Sequence, residues 1–271
     1  MTATDQRLGP VLAVRARSAA ALVLASLVGA VGFGWPFLAS SPSALGEHAL
    51  DAPYLFVVVL ALVVAIVAAE LTEGGMDVKA VAMLGVLAGA GAGLSALNTG
   101  TGGLEPAFFL LVLAGRVFGP GFGFALGVVV AVSGALVTGG VGPWLPFQMM
   151  GLAWVALFAG CLPGASGSAE RWMLAAYAAV SAFGYGVLLN LWFWPVATYL
   201  PPGSSYSPGA GLTVNLGHYA VFYVTTSLGW DTGRALLNAL LVFVAGRPVL
   251  ASLRRSARRA AFHAAVLIEP R

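Results

Sequence analysis

Charged side chains are scarce in this chain. Only 8% of its 271 residues are Asp, Glu, Lys or Arg, whereas 59% are hydrophobic. Soluble globular domains carry about 25% charged residues, so a chain of this composition could not cover a water-facing surface with polar groups. The composition therefore excludes an ordinary soluble domain and predicts an all-α polytopic membrane protein.

Lysine, cysteine and histidine are also scarce, and this scarcity excludes several kinds of chemistry. Lys79 is the one lysine, and it does not stand in a GxxxxGK[ST] phosphate-binding loop, so ATP hydrolysis by that route is excluded. Cys161 has no second cysteine for an internal disulfide, and the three histidines are isolated from it and from one another. The sequence has neither a GxSxG motif nor paired carboxylates within an apolar run. We therefore expect no enzymatic activity, no metal and no cofactor.

Long apolar runs make up most of the sequence. A membrane-spanning helix needs roughly 20 apolar residues, and the prediction is about eight spans at residues 19–39, 53–71, 78–97, 105–118, 119–138, 145–163, 171–194 and 229–246. Gly119-Pro120 separates the fourth run from the fifth, because proline lacks an amide hydrogen and fixes its own φ. An even number of spans places both termini on the same side.

Positive charges are concentrated on one side of these predicted spans. Every Lys and Arg except Arg234 falls on that side: Arg7, Arg15, Arg17, Lys79, Arg116, Arg171, Arg247, Arg254, Arg255, Arg258, Arg259 and Arg271. The opposite loops carry Glu47, Asp51 and Glu105. Because cytoplasmic loops carry the excess of Lys and Arg, both termini are predicted to be cytoplasmic.

Residues 195–228 do not fit a simple span. They begin with Pro195 and contain the turn-rich stretch PPGSSYSPGAG at 201–211. Joined to the last apolar run, the following residues would form a helix too long for one crossing. We expect a break at Gly229 and a short helix over 213–228 at the outer surface.

Small residues recur every four positions on two predicted helices. One stripe comprises Gly85, Gly89 and Gly93, and the other comprises Gly119, Gly123, Gly127, Ala131 and Ala135. Lipid supplies no hydrophobic drive for helix association, so small residues promote it by allowing close backbone contact. Such stripes indicate packing within the protein or, alternatively, contact with a partner subunit.

Aromatic and amide side chains gather at the outer ends of the spans. In TGGVGPWLPFQMMG (138–151), Pro143 and Pro146 restrict the backbone and predict a rigid turn. Amides at membrane depth need partners inside the protein or in a water-filled cavity, whereas Trp and Tyr alone could form an interfacial belt. The predicted pocket for a small molecule comprises Trp144, Gln148, Asn190, Trp192, Trp194, Asn98 and His218.

The order of these features resembles the substrate-binding S component of energy-coupling-factor vitamin transporters. The resemblance covers residues 78–246 and begins with the small-residue helix VKAVAMLGVLAGAGAGL. EPAFFLLVLAGRVFGPGFGFALG (105–127) is similar to the proline-led helix and the AG…GP..G turn of that family. VGPWLPFQMMGLAWVALFAG (141–160) and a last helix ending in GRPVLASLRR (246–255) follow.

The resemblance implies a six-helix substrate-binding core at 77–246, preceded by two extra helices within 1–76 and followed by a basic tail at 247–271. It implies capture of a vitamin or related micronutrient of the cobalamin, thiamine-precursor or flavin class at a bacterial inner membrane. The partners implied are a transmembrane coupling subunit and two cytoplasmic ATPase subunits, with no nucleic acid. The family contacts the coupling subunit through an AxxxA motif, whose nearest matches here are Ala88, Ala92 and Ala96, and the predicted interface also includes Gly85 and Gly89 of the glycine stripe beside them.

Two other functions remain open from the sequence. The chain could be a self-sufficient secondary transporter or channel. It could also be an intramembrane enzyme that acts on a lipid through His218 or Asp231. Because Asp231 and Arg234 stand three residues apart, pairing between them is the simpler expectation for this carboxylate.

Overall fold

The computed structural model describes residues 16–38, 78–97, 104–197 and 199–260, together with positions 58, 61 and 65. All regular structure in these residues is helical. The helices are α1 (Ala16–Leu38), α2 (Val78–Ala96), α3 (Ala107–Phe118), α4 (Pro120–Thr138), α5 (Leu145–Gly160), α6 (Gly167–Phe193), α7 (Leu212–Thr226) and α8 (Leu228–Ala260), with a 3-10 turn at Trp194–Val196.

The helices confirm the predicted class of all-α membrane protein. Helices α2, α4, α6 and α8 are each long and apolar enough to cross a membrane, while α1, α3 and α5 contain shorter apolar segments. Helix α3 is the centre of the bundle, because every one of its residues except Phe109 is buried. A helix that is apolar on all sides is typical of such an enclosed position.

Most helix boundaries lie close to the predicted ones. Gly119 ends α3 with φ 99° and Pro120 begins α4, so the predicted Gly-Pro turn is present. The break before the last helix falls at Ser227 rather than at Gly229, which lies inside α8. Helix α8 also continues past the predicted end at residue 246. The predicted span 53–71 lies outside the described residues, apart from three isolated helical positions.

The small-residue stripe on α4 packs inside the protein. A methyl group on Gly127 would lie 2.4 Å from the carbonyl oxygen of Leu152, and one on Gly123 would lie 2.5 Å from that of Ala156. Glycine at these positions allows the backbones of α4 and α5 to approach directly, as is typical of membrane helix pairs. Of the two interpretations, packing within the protein is therefore the correct one for this stripe.

The small residues of α2 lie on two different faces of the helix. A methyl group on Gly85 or Gly89 would meet no atom of the described residues within 4 Å, so none of the described helices covers this side of α2, which we call its open side. Ala88 and Ala92 are 3% and 4% exposed and belong to the protein's own core. The bundle therefore leaves little of these two alanines for a partner subunit, and their contact with one stays a prediction.

We predict that Gly127→Ala destabilises the bundle and that Gly85→Ala does not. The added methyl group would overlap the α5 backbone in the first variant, and overpacking of a tight contact costs about 1–3 kcal/mol. The second variant adds the same group in open space and is the matched control. Thermal unfolding in detergent compares the two, and equal midpoints would contradict the close α4–α5 contact.

Charged residues are divided between the two ends of the bundle. Arg116 in the last turn of α3, Glu170 in the first turn of α6 and Arg254 near the end of α8 meet at one end. Glu105, before α3, and Arg234, in the first half of α8, meet at the opposite end. We refer to these as the basic end and the outer end, because the charge asymmetry of the sequence predicts that the basic end is cytoplasmic.

Cysteine labelling tests this orientation. In a Cys161→Ala background, a membrane-impermeant maleimide should label Gly203→Cys in intact cells and Ser168→Cys only after permeabilisation. Both positions are exposed, and a side chain at Gly203 meets no atom within 4 Å. The background variant alone should remain unlabelled. Labelling of both positions in intact cells would contradict opposite sidedness.

Candidate functional site

A network of buried charges lies at the outer end of the bundle. The Nη1 atom of Arg234 is 2.6 Å from Oδ1 of Asp231, which confirms the predicted pairing of these two residues. The Nε atom of Arg234 lies 3.4 Å from Oε2 of Glu105. Only 12% of the Arg234 side chain is exposed, so two carboxylates share one guanidinium away from bulk water.

The surrounding residues hold this network in place. Nδ2 of Asn238 donates to the backbone oxygens of Glu105 and Arg234, and its Oδ1 accepts from the amide of Phe109 at 2.7 Å. Asn238 thereby joins the start of α3 to α8. Gly186 on α6 leaves room for Asp231, because a methyl group there would lie 1.7 Å from Oδ2 of that carboxylate.

Aromatic side chains enclose the guanidinium group. The charged centre of Arg234 lies 5.5 Å from the ring centroid of Phe108 and 5.2 Å from that of Tyr185, both within cation–π range. The hydroxyl of Tyr223 on α7 donates to Asp231 at 2.8 Å. Burial raises the pKa of Tyr223, and its hydrogen bond to Asp231 raises it further, so the phenol stays protonated and remains a donor.

Two cavities flank Tyr185 beside this network. The first, which we call the Gln148 cavity, has a volume of about 160 Å³ and is lined by Gln148, Trp144, Glu105, Ser95 and Thr138 together with Tyr185. The second, the Asn190 cavity, has a volume of about 330 Å³ and is lined by Asn190, Asp231, Arg234, Trp230 and Ser227 together with Tyr185. Carboxylates, amides and hydroxyls thus converge on a site at one end of an apolar bundle.

The predicted rigid turn forms one wall of the Gln148 cavity. The indole Nε1 of Trp144 donates to the carbonyl of Gly140 at 3.1 Å, and the ring lies over Gly142, where a methyl group would lie 2.4 Å from it. The backbone N–H of Gln148 donates to the backbone carbonyl of Trp144. Gln148 therefore lies in the first turn of α5, one turn deeper than Trp144. Trp144 and Gln148 thus line the same cavity, and their contact with a ligand stays a prediction.

None of the other predicted site residues that the structure describes lines the Gln148 cavity. Asn190 lines the second cavity rather than the first. Trp192 packs behind the rim, with its ring centroid 6.3 Å from that of Trp144 and 5.9 Å from that of Phe147, and its buried Nε1 has no hydrogen-bond partner among the described residues. Asn98 lies outside the described residues.

Trp194 and His218 stabilise the outer loop instead of lining a cavity. Trp194 is fully buried against Tyr206 and Tyr219, and its Nε1 donates to the carbonyl of Ser204 at 2.7 Å. His218 Nδ1 hydrogen-bonds to the Ser205 carbonyl at 2.8 Å. Neither side chain lines the Gln148 cavity or the Asn190 cavity, so ligand contact by Trp194 and His218 stays a prediction.

The sequence analysis missed the importance of Glu105, Arg234, Asn238 and Tyr185. Arg234 did carry a signal, because it is the exception to the charge asymmetry, and an arginine on the outer side of a membrane protein needs a local partner. Asn238 is an amide within an apolar run, which is a further signal of the same kind. Nothing in the local sequence of Tyr185 distinguishes it from an interfacial tyrosine.

Comparison with protein-family models, with curated proteins and with solved structures finds no match for this chain.

We predict that Arg234→Gln lowers the stability of the protein by about 3–5 kcal/mol, because it leaves two buried carboxylates without a counter-charge. Arg247→Gln, on the same helix but exposed, is the matched control. Thermal unfolding in detergent at neutral pH measures both. A midpoint for Arg234→Gln equal to that of the control would show that Glu105 and Asp231 do not depend on the guanidinium.

Proposed function

We propose that this chain is the substrate-specific membrane subunit of an energy-coupling-factor type transporter, and that it captures a small vitamin-like molecule at its outer end. The observation that carries the proposal is the pair of polar cavities on either side of Tyr185, bordered by Glu105, Asp231 and Arg234. Binding sites for small molecules are concave, mostly apolar and equipped with a few convergent polar groups. The outer end of this bundle offers such convergent polar groups on a concave surface.

The two cavities differ in the groups that they offer a ligand. In the Gln148 cavity, Glu105 presents an acceptor, Gln148 presents both a donor and an acceptor, and Trp144, which is 38% exposed, presents an aromatic ring. In the Asn190 cavity, Asn190 adds a second amide beside the Asp231–Arg234 pair. A ligand with a flat ring and several hydrogen-bonding substituents fits this combination, because the ring can stack on tryptophan.

The cavity volumes favour the smaller members of the proposed substrate class. Pockets for drug-sized ligands have volumes of about 300–1,000 Å³, while the two cavities here measure about 160 and 330 Å³. A thiamine precursor or a flavin ring suits this space better than cobalamin, which is much larger. Trp144 and the GPWLP turn would then set the width of the entrance.

Energy for import would come from the separate coupling subunit and its two ATPases. Their docking surface on this chain would include the open side of α2, where Gly85 and Gly89 leave the backbone exposed to close approach. A self-sufficient secondary transporter is the alternative, and Glu105 and Asp231 are the carboxylates that it would use. Concentrative uptake into liposomes by the chain alone, driven by an ion gradient, would favour that alternative.

We predict that a small molecule co-purifies with the protein and that Trp144→Ala and Gln148→Ala each weaken its binding by about 1–3 kcal/mol, through loss of a stacking or hydrogen-bonding partner. Mass spectrometry of the extracted ligand identifies it, and calorimetric titration of the ligand-free protein measures affinity. Trp172→Ala at the basic end is the matched control, because its exposed ring lies outside both cavities. Wild-type affinity in both site variants would place the binding site elsewhere.

A further inference from the structure

A groove lined by arginines lies at the basic end, away from the proposed substrate site. It has a volume of about 350 Å³ and lies between the first turns of α6 and the second half of α8. The arginines on its walls are Arg171, Arg247, Arg254, Arg255 and Arg258. Glu170 is the one carboxylate that lines it.

The positive charge of this groove is not neutralised by its neighbours. Oε1 of Glu170 accepts from Nε of Arg116 at 2.9 Å and from Nη2 of Arg254 at 2.6 Å, so this carboxylate is already shared by two guanidinium groups. The structure gives Arg247, Arg255 and Arg258 no carboxylate partner among the described residues. Clustered guanidinium groups without counter-ions form a binding site for phosphate or carboxylate anions.

Backbone and buried donors add to this site. The Nε atom of Arg171 is buried and has no hydrogen-bond partner among the described residues. Gly167 begins α6, a helix of 27 residues, and its N-cap Ser166 makes no side-chain capping hydrogen bond. The positive end of the α6 dipole and its free amide hydrogens therefore lie at the groove, where they favour an anion.

The surroundings of the groove are those expected at the level of the lipid headgroups. Trp172 is 64% exposed, and its ring packs on Phe243 with the centroids 4.4 Å apart, while Arg171 lies over the same Phe243 ring at 5.5 Å. Exposed tryptophan marks the interface between headgroups and hydrocarbon in membrane proteins. Val242 and Leu250 give the groove an apolar wall next to its charged one, as an acyl chain attached to a phosphate requires.

We propose that this groove binds the phosphate headgroup of an anionic phospholipid in the leaflet at the basic end of the bundle. Arg247, Arg255 and Arg258 contact the phosphate, and the lipid lies against both α6 and α8. This site is independent of the proposed substrate-binding function, because it shares no lining residue with either outer cavity. Basic pockets between membrane helices on the cytoplasmic side are suited to such headgroups.

Native mass spectrometry of the full-length chain in neutral detergent tests the proposal, with phosphatidylglycerol and phosphatidylcholine of the same acyl chains as probes. We expect phosphatidylglycerol to bind more tightly, and the triple variant Arg247→Gln/Arg255→Gln/Arg258→Gln to lose affinity roughly fivefold for each arginine removed. These side chains are exposed and unpaired, so their removal leaves the Arg116–Glu170–Arg254 network in place.

Two variants serve as controls. The triple variant Arg247→Lys/Arg255→Lys/Arg258→Lys retains the positive charge and should keep most of the phosphatidylglycerol binding. Lys79→Gln removes a charge from the same end of the bundle but outside the groove, and should leave binding unchanged. Equal affinity for the two lipids, or wild-type affinity in the glutamine variant, would overturn the proposal.

Two competitors distinguish other sources of the anion. Inorganic phosphate that displaces phosphatidylglycerol and binds as tightly by itself would assign the groove to a soluble phosphate. A polyglutamate peptide that binds more tightly than phosphatidylglycerol would assign it to an acidic segment of a protein partner. Either result would overturn the lipid assignment, whereas weak competition by both supports it.

Discussion

Networks of arginine and carboxylate groups join the same three helices at both ends of the bundle. At the basic end, Glu170 of α6 pairs with Arg116 of α3 and Arg254 of α8. At the outer end, Arg234 of α8 pairs with Glu105, just before α3, and lies against Tyr185 of α6. A buried charge in an apolar protein is costly unless it is paired, so each network fixes how α3, α6 and α8 pack at that end.

The outer network has consequences for the neighbouring backbone. The Asp231 carboxylate packs against Gly186 of α6, where an added methyl group would displace it, and Asn238 satisfies the backbone at the start of α3. Tyr185 belongs to the hydrophobic core and at the same time borders both cavities. The packing of a few polar groups inside an apolar bundle thus creates the concave surface on which the proposed function depends.

The sequence predicts local structure well because its strongest signals are local. The Gly119-Pro120 turn, the rigid turn at 142–146 and the position of Gln148 follow from proline and glycine stereochemistry and from the lengths of the apolar runs. Trp194 could not be placed in this way. Its environment depends on Ser204, Tyr206 and Tyr219, which reach it only after the loop folds back on α6.

Contacts between distant segments account for the rest of the site. Glu105 and Arg234 are far apart in the sequence. Taken alone, each is typical of an interfacial charge at the end of a helix. The same limit applies to Ala88 and Ala92, because small residues at spacing four predict close packing without identifying the partner. The structure assigns these alanines to the bundle itself and leaves Gly85 and Gly89 on the open face.

Buried donors without hydrogen-bond partners connect the two proposed sites. Among the described residues these atoms are Nε1 of Trp192 and Nε of Arg171, together with Nε of Arg234, which has an ion pair with Glu105 at 3.4 Å but no hydrogen bond. Arg234 lines the Asn190 cavity, Trp192 packs behind Trp144 at the rim of the Gln148 cavity, and Arg171 lines the basic groove. A buried donor left unpaired costs about 1–3 kcal/mol, so such groups concentrate where a ligand can accept from them. These donors therefore lie at both ends of the bundle, near the proposed solute site at the outer end and in the proposed anion site at the basic end.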